Sequence, residues 1–168
     1  MGMARSLGDR LPDELVRALD DGVLDRHDQA AFLLVTTDDG GAPRLSMISA
    51  GELLVRDGRT LRLALWRGSR TARNLGRGGS ALLGTVGPGS VTYVRADPVR
   101  LEVPEATGLE CFELEVTGVE ADAHAGMPVT SGIAFRIDEP GHATAVAAWR
   151  RQRELLARAH VPSQGNGS

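Results

Sequence analysis

Between Arg67 and Arg77 the chain carries four arginines, wrapped around a Gly68-Ser69 turn and a predicted helix start. Backbone N–H groups at a helix start lack intrahelical partners, and the helix dipole favours an anion there. Ser69 and Thr71 add hydroxyl donors, while Arg70 and Arg73 add charge and a bidentate fork. The chemistry this implies is phosphate binding. On residue types alone, a solvated basic helix between two strands is an equally good reading.

The rest of the sequence narrows the chemistry by exclusion. All 19 basic residues are arginine, so neither a Schiff base nor a lysine general base is available. Every cation is a permanently charged planar fork. A single cysteine, Cys111, excludes an intramolecular disulfide and a cysteine-built zinc site. Cys111 follows Glu110 and shares a predicted strand face with Glu113 and Glu115, so its thiol pKa should be raised. Those glutamates have the spacing of a solvated or subunit-facing strand, not of a catalytic carboxylate pair. His27, His124, His142 and His160 are scattered, with no i, i+4 pair, and read as surface residues. No side chain is assigned a catalytic role, and no metal site is expected. A net charge of −3 gives no pull toward nucleic acid or an anionic membrane. No run reaches the length of a membrane span, and the first ten residues lack a signal-peptide core, so a cytoplasmic protein is expected.

These residues need elements to position them. Leu11 to Asp21 reads as an amphipathic helix with Leu11, Leu15, Ala18 and Leu19 on one face. Ala31 to Thr37 has the apolar continuity of a fully buried strand, and Asp38-Asp39-Gly40-Gly41 turns it into a second strand, Arg44 to Ser49. Glu52 to Arg56 and Thr60 to Trp66 flank Asp57-Gly58-Arg59 as a hairpin. In the latter strand Leu61, Leu63 and Leu65 face the core, and Trp66 faces away. Ser69 caps a short helix that ends at Gly76. Further strands are expected at Ala81–Val86, Val91–Arg95, Val99–Val103, Phe112–Val119 and Ile133–Ile137, and a final helix at Thr144–Ala159. The pattern is a mostly β, α+β domain over residues 1–160 with an antiparallel sheet or barrel. Residues 161–168 read as a disordered tail.

The order helix, buried strand, Asp-Gly turn, Pro43-Arg44-Leu45-Ser46-Met47-Ile48-Ser49, hairpin, then Gly68-Ser69-Arg70-Thr71-Ala72-Arg73-Asn74-Leu75 resembles the pyridoxamine 5′-phosphate oxidase-like superfamily. The likeness runs from Ala31 to Val86. It implies an antiparallel split β-barrel that binds FMN. The phosphate would lie against Ser69, Arg70, Thr71 and a second-strand residue. Arg44, Leu45, Ser46, Met47, Ile48 and Ser49 would run along the isoalloxazine ring, and Leu65 and Trp66 would wall the site. A homodimer with FMN at its interface is implied, with a small-molecule substrate that no motif names. Two features depart from the family. Thr71 stands where a lysine is common, leaving Arg44, Arg67 or Arg73 to compensate, and the arginine-rich C-terminal substrate motif is absent. The resemblance therefore implies an FMN-dependent oxidoreductase rather than a pyridoxamine phosphate oxidase. The rivals are a flavin-binding or sensing protein without turnover, a cofactor-free binding module, and a relative carrying deazaflavin or haem.

Overall fold

Leu61, Leu63 and Leu65 alternate along one strand and all three are buried, but so are Arg62 and Ala64 between them. Both faces of this strand are covered, and the architecture follows from what covers each. In the computed structural model, which describes residues 4–104 and 107–163, ten strands and three helices are formed. They are β1 (Arg5–Gly8), α1 (Asp13–Ala18), β2 (Asp28–Ala30), β3 (Phe32–Thr37), β4 (Pro43–Ile48), β5 (Leu53–Asp57) and β6 (Thr60–Trp66). There follow α2 (Arg70–Gly76), β7 (Ala81–Gly87), β8 (Ser90–Leu101), β9 (Leu109–Asp122), β10 (Ala134–Arg136) and α3 (His142–Arg158). Among the described residues no helix is long and apolar enough to cross a membrane.

The main sheet is antiparallel, in the order β4-β3-β7-β8-β9-β6-β5, with β1 added to the far end of β9. Phe32 and Leu34 of β3, Ile48 of β4, Leu53 of β5, Leu83 of β7 and Phe112 of β9 belong to one core cluster. Both ends of the sheet therefore face the same interior, and the sheet curls into a barrel. Its two edge strands, β4 and β5, are joined by chain rather than by ladder hydrogen bonds. That link is a single turn in which the Ser49 N–H donates to Glu52 Oε2 at 2.7 Å.

The other face of β6 lies under α3. Ala64, Leu101 and Cys111 pack there with Leu155, Leu156 and Ala159. Arg62 reaches out of the sheet to finish that helix, its Nη1 donating to the carbonyls of Leu156 at 2.6 Å and Ala159 at 2.8 Å. Its Nε donates to Glu113 Oε2 at 2.9 Å, and Arg56 donates to the same oxygen at 2.8 Å. Glu113, expected on a solvated or subunit-facing strand face, is buried in this network under α3 of the same chain. Midway along the helix Trp149 lies on Gly51, where a Cβ would collide with the indole.

Several expectations change. Val91–Arg95 and Val99–Val103 are one strand, β8, running through Pro98. The β7 ladder ends at the Ala81–Ala96 pair, so beyond it β8 bonds only β9, and a residue without an N–H is tolerated. Between the Arg95–Gly118 and Ala96–Val116 pairs Thr117 is an extra residue, a bulge that bends β9. The bend lets β9 serve β6 with Leu109–Glu115 and β1 with its later residues. Ala31–Thr37 is not buried on both sides, since Leu33 and Val35 point outward and are half-exposed. The first helix stops at Ala18, and β10 pairs with the short β2 instead of joining the main sheet. Residues 164–168 of the expected tail lie outside the described residues.

Replacing Arg62 by Met would leave Glu113 buried with one half-exposed partner and strip two helix carbonyls. Urea unfolding should show a loss of about 3–5 kcal/mol. A loss under about 1 kcal/mol would show that this network does not anchor α3.

Candidate functional site

The turn after β6 is held before any ligand is considered. Ser69 caps α2, its Oγ accepting from the Ala72 N–H at 3.2 Å. Gly68 has φ +72°, a conformation that favours glycine. Its N–H donates to Glu110 Oε1 at 2.9 Å, and Arg100 pairs with the same carboxylate at 2.6 Å. Arg73 Nη1 returns to the Gly68 carbonyl at 3.0 Å. Two polar contacts, one buried and one partly buried, then fasten α2 to the sheet. Thr71 Oγ1 and Ser46 Oγ are 2.7 Å apart, and Asn74 Nδ2 donates to Thr36 Oγ1 at 3.0 Å.

This docking opens a polar groove of about 590 Å³ between α2 and the β3–β4 turn, lined by Asp38, Asp39, Arg44, Leu45 and Asn74 and by Arg70, Arg73 and Arg77. Four guanidiniums share it with two carboxylates. Arg77 lies 3.5 Å from Asp39, and Asp38 is occupied by the N–H groups of Gly40 and Ala42. Among the described residues Arg44 and Arg70 are exposed and have no ion-pair partner. An excess of unpaired, exposed guanidinium in a polar groove suits a multiply charged anion.

The sequence-chosen residues divide by position. Arg44, Leu45 and Arg70 line the groove. Ser46 and Thr71 lie beneath it, each holding the other's hydroxyl. Thr71 is buried, so it braces the turn where a lysine would have added charge. Ser49 is engaged by Glu52. The Glu52 carboxyl is pushed above its ordinary range by burial, although the Ser49 bonds oppose this. Ile48 and Leu65 are core residues. Leu45 and Met47 project outward at 59% and 65% exposure. Trp66 is elsewhere, 68% exposed beside a second groove formed with Gly108, Ala148 and Arg151.

Arg73 and Arg77 join the groove, whereas Arg67 lies in a different depression with Arg100 and Cys111. The spacing of Arg70, Arg73 and Arg77 places them on one helix face, a signal present in the sequence. Glu110, which fixes the turn from a distant strand, left no such signal. The histidines scattered in sequence are not all scattered in space, since His27 and His142 stack against each other.

The fold is an antiparallel split barrel, as the resemblance implied. A provisionally named pyridoxamine 5′-phosphate oxidase of Lactobacillus delbrueckii matches with a TM-score of 0.54 at 18% identity, over 68% of this chain and 98% of that one. HupZ of Group A Streptococcus matches with a TM-score of 0.53 at 12% identity, over 69% of this chain and 99% of that one. In sequence, the chain is 28% identical over 150 residues to YclD of Bacillus subtilis (strain 168), a protein described as uncharacterized. The alignment spans 88% of this chain and 96% of YclD. No family model matches.

The geometry also settles the thiol. Cys111 is enclosed between the sheet and α3, and burial pushes its pKa up to about 11, with Arg62 opposing weakly. The direction is the expected one, but desolvation causes it rather than neighbouring glutamates. At pH 8 the thiolate fraction should be roughly 100-fold below that of an unfolded cysteine. Disulfide-exchange labelling should slow by at least that factor in the native protein. Labelling at the unfolded rate would show an accessible thiol.

Proposed function

We propose that the chain is a flavin-binding split-barrel protein, an FMN-dependent oxidoreductase acting as a homodimer. The observation that carries this reading is the groove with unpaired Arg44 and Arg70 at the end of an edge strand whose next outward residues are apolar. Arg44 and Arg70 would hold the phosphate, with Arg73 and Arg77 adding charge. The Ser46–Thr71 contact keeps strand and turn at a fixed separation. The ring would follow β4 outward along Leu45 and Met47. Because β4 is a sheet edge, alternate backbone N–H and C=O groups point away from the ladder and are free to meet polar ring atoms. FMN bound there would supply electron and hydride transfer. The protein's own part is to anchor the phosphate, present the strand edge and exclude water, without a side-chain acid or base.

The homodimer rests on the outer sheet face. Leu45 sits opposite Val35, which sits opposite Leu82, and Met47 sits opposite Leu33. These five side chains form an outward apolar surface across three strands, with Leu45 and Met47 largely exposed. A patch of this kind marks an interaction surface. A second copy covering it would also wall the outer side of the ring position.

Arg70→Ala and Arg44→Ala should each weaken FMN binding by about 1.5–3 kcal/mol, roughly 10- to 150-fold. Parent-like affinity in both variants would misplace the phosphate. Sedimentation should report about twice the 17.8 kDa chain mass, and Met47→Glu should yield a monomer that no longer retains flavin. A parent monomer that binds flavin would contradict the shared site.

A further inference from the structure

We infer that His27, Glu139 and His142 form a site for a divalent transition-metal ion of the zinc type. The three residues come from separate segments. His27 precedes β2, Glu139 follows β10, and His142 opens α3. The β2–β10 pairing extends one step further, with the Ile137 N–H donating to the His27 carbonyl at 3.0 Å, so the flanks of both strands lie side by side. Each residue offers one ligand atom, and these atoms all lie within 4.8 Å of one another.

The hydrogen bonding prepares the imidazoles for a metal. His27 Nδ1 lies 3.3 Å from the Ile137 carbonyl oxygen, a contact that requires the proton on Nδ1. The Nε2 lone pair is then free, and a backbone carbonyl on the other ring nitrogen is the usual partner of a metal-bound histidine. Glu139 Oε1 stands 3.7 Å from that Nε2, too far for a hydrogen bond. His142 stacks on His27 with ring centroids 3.9 Å apart, and its Nε2 is buried without a hydrogen-bond partner. A buried, unpaired ring nitrogen is destabilising, and a ligand bond would offset that cost.

Two imidazoles and one carboxylate with a vacant fourth position suit zinc and its neighbours, not magnesium or calcium. Tetrahedral coordination sets donor atoms about 3.3 Å apart, so binding must draw them together and splay the stacked rings. His27 and Glu139 have side-chain exposures of 49% and 68%, which leaves room for that rotation. Asp28, next to His27, is already paired with Arg136 at 2.9 Å and does not compete. The simpler account is a stacked histidine pair beside a surface carboxylate, and that account predicts no metal affinity.

The test is calorimetric titration of the full-length, chelator-stripped protein with Zn²⁺, with Mg²⁺ as the control cation. The inference predicts one Zn²⁺ per chain with a dissociation constant of about 10 µM or tighter. His27→Ala, His142→Ala and the shape-preserving Glu139→Gln should each weaken it by at least about tenfold, and His124→Gln should not. Circular dichroism confirms that each variant is folded. Should His142→Ala fail to fold, Glu139→Gln carries the test alone, since its side chain is largely exposed. No Zn²⁺ uptake at about 100 µM, or parent-like affinity in Glu139→Gln, overturns the inference.

Discussion

Two polar contacts, Ser46 to Thr71 and Asn74 to Thr36, fasten α2 to the β3–β4 hairpin. The arginine groove exists only because of them. Arg44 belongs to one element and Arg70, Arg73 and Arg77 to the other, and nothing in the sequence brings the two together. The Asn74–Thr36 contact is shielded from water, where losing a partner leaves an unsatisfied group costing about 1–3 kcal/mol, and the Ser46–Thr71 contact is partly so. They therefore hold the four like-charged groups close despite their repulsion. Glu110 secures the same turn from the opposite side, through the Gly68 N–H.

Without lysine, arginine serves both as anchor and as candidate ligand group. Arg62 and Arg153 are buried and divide their donors between backbone and a carboxylate: Arg62 between the end of α3 and Glu113, Arg153 between the Ala50 carbonyl beside the β4–β5 link and Asp21. Each guanidinium satisfies several acceptors from one side chain, which a lysine's compact charge does less well. Arg44 and Arg70 differ in having no protein partner among the described residues. What distinguishes the groove from an ordinary basic surface is that these two groups converge with Arg73 and Arg77 in one polar depression.

Much of the framework was legible in the sequence because its signals are local. Leucine alternation placed β6, the Asp-Gly turns placed the hairpins, and Ser69 placed the start of α2. What was not legible depends on long-range pairing. Pro98 suggested a break in β8, yet the strand continues because its partner β7 has already ended. Glu113 read as solvated or subunit-facing, yet α3 of the same chain covers it. Thr71 looked like a ligand donor, but its hydroxyl turns inward to Ser46. His27 and His142 are far apart in the chain and meet only through the small β2–β10 ladder.

The central claim is that the groove recognises a flavin by its phosphate. The direct measurement is a fluorescence titration of the unmodified protein with FMN and with riboflavin, which lacks the phosphate, over a series of salt concentrations. The account predicts that FMN binds about 100-fold tighter at low ionic strength, and that the gap narrows as salt screens the exposed guanidiniums. Equal affinity for the two at every salt concentration would contradict it.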